Sequence, residues 1–281
     1  MFIYFTNIYK MKVFTMVKDE NDVVEDWVLY HGTLFGFTNL YVIDNYSVDG
    51  TFQTLLNLKN KYNINVTRVD NYKKKGEYMT ELLRNFGNGE IVFPIDIDEF
   101  IVYYNKETNT ISSDKNIIVN HINSLQLLPF YKMNYINAKI FSPVGYNRAT
   151  TECEYGKYAN YGGQAKTFFH SGLFKGIIDH GNHYISQSYL LSNLCLVHFH
   201  ERNIDQIKKK VYNNVKGLGY NPFDLISLKN LLHRNNSIMG NHHIHKQIKI
   251  LEKTFSLDIE NKLNNDISLT PLNQFIKELK Q

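Results

Sequence analysis

Residues 11–17 form a short apolar run that suits a buried strand. Over residues 22–35 the apolar positions recur at helical spacing, with Val23, Trp27, Tyr30 and Leu34 on one face. Asn21 or Asp22 stands where a cap is needed, Glu25 and Asp26 lie near the positive end, and Gly36 ends the helix. Residues 39–43 read as the next strand. A polar turn over 44–50 leads into a helix over 51–62, with Phe52, Leu55, Leu56 and Lys59 at helical spacing. Residues 64–69 make a third strand, and 75–86 a third helix, stopped by Gly87-Asn88-Gly89. Residues 90–95 are a fourth strand, running into Asp96-Ile97-Asp98-Glu99-Phe100.

That β-α-β-α-β-α-β order predicts an α/β fold: a mostly parallel central sheet with helices on both faces. Ligands of such sheets bind beyond the carboxyl ends of the strands. The polar clusters after Val17, Ile43, Val69 and Ile95 should therefore gather in one cleft. The later pattern is less regular. Residues 116–124 look helical, 130–142 and 166–178 look like strands and loops, and 194–200 is an apolar strand ending in histidines. A polar helix fits 203–214, and a helix over 242–255 repeats Ile244, Ile248 and Leu251. The expected division is one domain over 1–215 and a helical C-terminal tail over 216–281.

Composition narrows the function classes. The 281 residues are 43% hydrophobic and 21% charged, well inside the globular range. With 31 basic and 27 acidic residues, the net charge of +4 argues against nucleic acid as a partner. The lysine triplets at 73–75 and 208–210 read as solvated faces. Tyr and Phe are abundant, at 20 and 18, beside 26 Lys against 5 Arg. AT-rich codons account for that bias, and a tyrosine-rich carbohydrate surface is the sharper alternative. Cys153 and Cys195 give neither a disulfide framework nor a metal knuckle. No apolar run approaches a transmembrane span, and residues 1–12 lack the features of a signal peptide, so a cytoplasmic location is expected.

The strongest chemical signal is Asp96-x-Asp98-Glu99 at a strand end. Residues i and i+2 of a strand point to one face, so two carboxylates can meet one hard cation there. Mg²⁺ and Mn²⁺ take oxygen ligands and share them with phosphates, and a metal bridging a nucleotide diphosphate neutralises its charge. A second signal is the turn from Asp44 through Asn45, Ser47 and Asp49 to Thr51. Asp44 suits a base or ribose contact, whereas Ser47 or Asp49 suits a helix cap. A third is His198-Phe199-His200, where one or both imidazoles can complete a metal site begun by Asp98. His180 and His183 sit in a polar loop fit to line an acceptor site. Neither a P-loop nor a Gly-x-Ser-x-Gly elbow occurs.

In this order the residues resemble glycosyltransferases of the A-type fold, nearest to the family 2-like and family 92 group. The matching positions are Lys18-Asp19-Glu20, Glu25-Asp26-Trp27, His31, Gly36, Asp44 to Asp49, Asp96 to Phe100, and His198-Phe199 with Arg202 and Lys208 to Lys210. The match spans about residues 11–215. The resemblance implies a Rossmann-like A-type fold and metal-dependent transfer of a sugar, with inversion, from a nucleotide-diphosphate donor to an acceptor hydroxyl in glycan synthesis. A UDP-sugar is the favoured donor, a glycan or glycoconjugate the acceptor, and Mn²⁺ or Mg²⁺ the cofactor. It implies Asp96, Asp98 and His198 as metal contacts, and Lys18, Glu20, Asp44, Asn45 and Asp96 as donor contacts. Inversion needs a general base near the acceptor hydroxyl. Asp179, Glu154 and Glu152 are the candidates, Asp179 first because His180 and His183 flank it. Two other readings are a non-catalytic nucleotide-sugar or glycan-binding relative and a haloacid-type phosphatase. The latter needs its acidic pair after the first core strand, and here the pair follows the fourth.

Overall fold

The computed structural model describes residues 9–125, 130–183, 189–234, 238 and 240–281. The chain opens as β1 (Lys10–Val17), α1 (Val24–Phe35), β2 (Leu40–Asp44), α2 (Thr51–Tyr62), β3 (Asn65–Arg68), α3 (Lys75–Arg84) and β4 (Glu90–Pro94). It continues through β5 (Glu99–Asn105), β6 (Thr110–Ser112), α4 (Lys115–Ser124), β7 (Phe130–Ala138), α5 (Ala149–Glu152), β8 (Tyr155–Ala159), β9 (Lys166–His170) and β10 (Leu190–His198). The remainder is α6 (Ile204–Gly217), α7 (Leu225–Arg234), α8 (Asn241–Leu251), β11 (Ile267–Ser268) and α9 (Thr270–Glu278).

The strands form one mixed sheet in the order β3-β2-β1-β4-β9-β7-β10-β5-β6, with β8 pairing β7 and β11. β1 to β4, β7 and β10 share one direction, while β9 and β5 run against it. The expected α/β architecture is present. β1 is buried over nearly its whole length, as a strand covered on both faces must be. Successive side chains show the two covers. Val92 packs with Phe14, Met16 and the α3 residues Met79 and Leu83. Its neighbour Phe93 stacks on Phe35 of α1, ring centroids 5.6 Å apart.

The predicted face of α1 is the buried one: Val23, Trp27, Tyr30 and Leu34 all lose nearly all exposure. Its start differs from expectation. No side chain caps it, and the Glu20 carbonyl accepts from Val23 N–H and Val24 N–H instead. The Asn21 side chain is turned to Thr54, whose hydroxyl donates to it at 2.8 Å. In α2, Leu58 is buried, whereas Lys59 is exposed. Gly36 ends α1 at a φ of 92° that only glycine adopts readily.

The chain divides into two compact units. The first holds Met1–Lys139, Arg148–His200 and Lys262–Gln281, and the second Ile140–Asn147 and Glu201–Asn261. The division expected at residue 215 falls inside α6, and α9 belongs to the first unit with the sheet. The second unit has its own core, built from Ile140, Ile207, Val211, Val215, Leu228, Leu232, Ile244 and Ile248. Among the described residues no helix is long and apolar enough to cross a membrane.

Candidate metal centre and donor cleft

Three strand ends meet because of pairing register. β4 and β1 are parallel, so Ile95 to Asp98 emerge on the same side as Lys18 to Glu20. β10 also ends there, and its His198 is the register partner of Glu99 at the start of antiparallel β5. The Phe199 N–H donates to the Asp98 carbonyl at 2.9 Å, locking the two ends together.

Asp98 is buried, and one of its oxygens lies 3.6 Å from His198 Nε2. The His200 ring centroid is 5.0 Å from that of His198. One ligand atom from each of Asp98, His198 and His200 falls within 4.8 Å of the other two. A first-row divalent ion about 2.1 Å from each ligand places neighbouring ligands about 3 to 3.5 Å apart. The Asp98–His198 separation of 3.6 Å is close to that spacing, and the three-group set, bounded at 4.8 Å, is looser. A carboxylate with two imidazoles is a mixed N/O set, which favours Mn²⁺ over the oxygen-seeking Mg²⁺.

Asp96 has different company. Its Oδ1 accepts from Lys75 Nζ at 2.5 Å and its Oδ2 from Lys166 Nζ at 2.8 Å. Lys166 is buried and also meets Glu99 Oε1 at 3.1 Å, while Glu99 Oε2 accepts the Asp96 N–H at 2.8 Å. Burial opposes the charge on Asp96, but Lys166 and then Lys75 outweigh it and hold the carboxyl far below its usual range. Burial acts alike on Lys166, and Asp96 and Glu99 reverse it, so its ammonium stays charged. Glu99 is pushed up by burial, only partly offset by Lys166. Neither lysine is marked by the sequence pattern as a site residue. Lys75, read with its triplet as a solvated face, is instead buried against Asp96. Lys166 carries no local sign beyond standing before an apolar run.

On the donor side, Asp44 is fully buried and pairs with Arg68 Nε at 2.9 Å. The Ser47 N–H donates to it at 3.2 Å. Arg68, unmarked by any motif, lies over the rings of Tyr46 and Phe52 at 4.4 and 4.0 Å. Lys18 Nζ donates to the carbonyls of Asn45 and Tyr46 at 2.8 and 3.0 Å. Asn45 donates through Nδ2 to the Val69 carbonyl at 3.0 Å. The Glu20 N–H meets Thr51 Oγ1 at 2.9 Å. Asp49 serves the start of α2 from one position outside the N-cap, since Gly50 holds that place; its carboxylate accepts from Thr51 N–H at 3.0 Å. These bonds make the β1 and β2 ends one rigid turn-on-turn platform.

Asp179 accepts the His183 N–H at 2.9 Å. Its loop reaches the lysine cluster, because Lys166 Nζ also donates to the Gly181 carbonyl at 3.2 Å. Gly76 makes this possible: a Cβ there would stand 2.0 Å from the Ile178 carbonyl. Burial lowers the pKa of both His180 and His183, so these rings are neutral at pH 7. Glu152 and Glu154 are exposed and stand elsewhere, toward β11, where the Glu154 carbonyl accepts from Leu269 N–H at 2.8 Å.

His31 is a structural histidine. Fully buried, it holds a neutral tautomer, with Nδ1 3.0 Å from the Trp27 carbonyl and Nε2 accepting the Ile101 N–H at 3.3 Å. Burial lowers its pKa to about 3.

No family model matches the chain, and no curated protein does. Several solved structures are similar to it. TarS residues 1–349 from S. aureus, in complex with UDP-GlcNAc, is 14% identical, with 87% of this chain and 72% of that one covered and a TM-score of 0.43. Glucosyl-3-phosphoglycerate synthase from Mycobacterium tuberculosis, with Mn²⁺ and UDP-glucose, is 13% identical over 76% and 80% of the two chains, with a TM-score of 0.36. A 4-diphosphocytidyl-2C-methyl-D-erythritol synthase from Anaerococcus prevotii is 11% identical over 70% and 92%, with a TM-score of 0.37. Likenesses at these scores bear on neither the site nor its chemistry.

Proposed function

We propose that the protein is a metal-dependent glycosyltransferase that moves a sugar from a nucleoside-diphosphate donor, a UDP-sugar first, to an acceptor hydroxyl. The observation that carries this reading is the Asp98, His198 and His200 cluster at the carboxyl ends of β4 and β10, beside an ionised Asp96 held by two lysines. The resemblance of residues 11–215 to A-type glycosyltransferases supports it. Asp98, His198 and His200 would hold the metal, Mn²⁺ by their chemistry, which would neutralise the diphosphate as it leaves. Asp96 borders the donor, and it fixes Lys75 and Lys166 at the rim of that site. The Asp44 and Asn45 turn, braced by Lys18, Glu20 and Arg68, would take the nucleoside.

Asp179 is the group to accept the acceptor proton. It lies in the loop that Lys166 draws toward Asp96, with neutral His180 and His183 beside it. A base so placed would give inversion. The exposed Glu152 and Glu154 are the remaining candidates.

Asp98→Ala is the direct test. Loss of a charge-stabilising group of this kind costs roughly 10²–10³ in rate, read as sugar transfer or donor hydrolysis with Mn²⁺. Full activity in the variant would sink the metal role. A thermal-shift screen of nucleotide sugars with and without Mn²⁺ reads binding separately, since a ligand of the native state raises stability as RT ln(1 + [L]/Kd). Metal-dependent donor binding without turnover over a broad acceptor panel would turn the reading to a non-catalytic relative. A flat response to every donor would remove both.

A further inference from the structure

The second unit carries the chain's net charge. Residues 140–147 hold no charged side chain, and residues 201–261 hold ten Lys and Arg against six Asp and Glu. The first unit keeps the remaining 21 of each sign and is balanced.

Part of that charge lines one face. Lys208 and Lys216 are exposed on α6, four residues to either side of Tyr212. The Lys216 ammonium lies 6.0 Å from the centre of the Tyr212 ring. The same ring meets Phe223, with centroids 5.5 Å apart. Phe223 and Ile226 are 71% and 74% exposed, although both are large and apolar. The packing of α7 holds them outward. Leu225, Leu228 and Leu232 turn into the unit's core, so Ile226 and, one turn on, Lys229 face away from it. The loop before α7 is fixed, because Gln247 Nε2 donates to the Pro222 carbonyl at 2.7 Å. Of the acids nearby, Asp224 accepts from Ser227 N–H and Oγ at the start of α7, Glu252 pairs with Lys229 at 2.5 Å, and Asp205 is exposed one turn before Lys208.

We propose that this face docks on an anionic lipid bilayer. Phe223 and Ile226 enter the boundary between headgroups and acyl chains, and Lys208 and Lys216 meet the lipid phosphates. Peripheral binding of this kind needs buried apolar area together with cations near the surface. A polyanion without an apolar layer would use the lysines and leave Ile226 without a role. The inference is independent of sugar transfer and of the metal centre.

The test uses the full chain in sedimentation with phosphatidylcholine vesicles, with and without phosphatidylglycerol, at low and high salt. Binding is expected to the anionic vesicles alone and to fall as salt rises. Changing Phe223→Ser together with Ile226→Ser should weaken it about tenfold or more. Lys208→Gln with Lys216→Gln should weaken it by roughly fivefold per lysine. All four positions are exposed, and thermal melts matching that of the parent protein confirm that the variants fold. Absence of binding to the anionic vesicles, or equal binding to the neutral ones, overturns the proposal. So does vesicle binding that the F223S I226S pair leaves unchanged; equal affinity for a short RNA would then make the face a general polyanion site.

Discussion

Asp96 and Asp98 leave the same strand two residues apart, yet the two ends they face are built on different electrostatics. The chain supplies Asp96 with two ammonium groups of its own, at 2.5 and 2.8 Å. Asp98 is met by two imidazoles, which are ligands as readily as they are cations. One side is thus an internal ion cluster that holds its shape unaided. The other gathers one carboxylate and two imidazoles whose ligand atoms lie within 4.8 Å of one another. The difference teaches that an acidic pair of this spacing need not act as one clamp: its two carboxylates can face separate groups of partners within the same protein.

The largest expected effect breaks the first side. Lys166→Met removes the ammonium shared by Asp96 and Glu99 and leaves Glu99, itself buried, without it. Breaking a buried pair from one side costs about 3–5 kcal/mol, to be read by urea unfolding without metal. A loss below about 1 kcal/mol would mean that the cluster is not an internal brace. The second side is broken by His200→Gln, which should weaken Mn²⁺ binding by about tenfold or more and leave the metal-free melting temperature near that of the parent. Unchanged Mn²⁺ affinity would remove His200 from the ligand set.

A third test sharpens the comparison with a histidine buried in the core. His31 has an ordinary value of 6.5 and a folded value of about 3, so the unfolded chain binds the extra proton between them. Stability is therefore complete above about pH 6.5 and falls as the pH drops toward 3, by about 1.4 kcal/mol per unit from this group. His31→Gln should flatten that fall between pH 6.5 and 5. Identical slopes in parent and variant would assign the pH dependence to other groups.

The strands and helices of the first hundred residues are legible because each obeys one period, two or 3.6, over its own length. The meeting of Asp98 with His198 is legible for a related reason: each ends an apolar strand, and parallel strands bring their ends together. The lysines are not legible. Lys75 lies 21 residues from Asp96 and Lys166 lies 70 away, and nothing local distinguishes Lys75 from Lys73 and Lys74. The start of α1 fails for a smaller reason. Asn21 and Asp22 have cap-forming side chains, but the Glu20 carbonyl takes the cap's place while Thr54 engages Asn21. The edge of the second unit is also hidden, since α6 carries the same amphipathic pattern whichever core it serves.

The place of β9 in the sheet has a consequence for synthesis on the ribosome. β4 meets β1 on one side and β9 on the other, yet some 70 residues of chain separate Asp96 from Lys166. At about 5–20 residues per second, roughly 4 to 14 s pass between the emergence of these two residues. During that interval the native partner of an apolar strand edge does not exist, and bare edges of this kind recruit other chains. A nascent or truncated chain ending before residue 166 should therefore depend on chaperones more than the finished protein does.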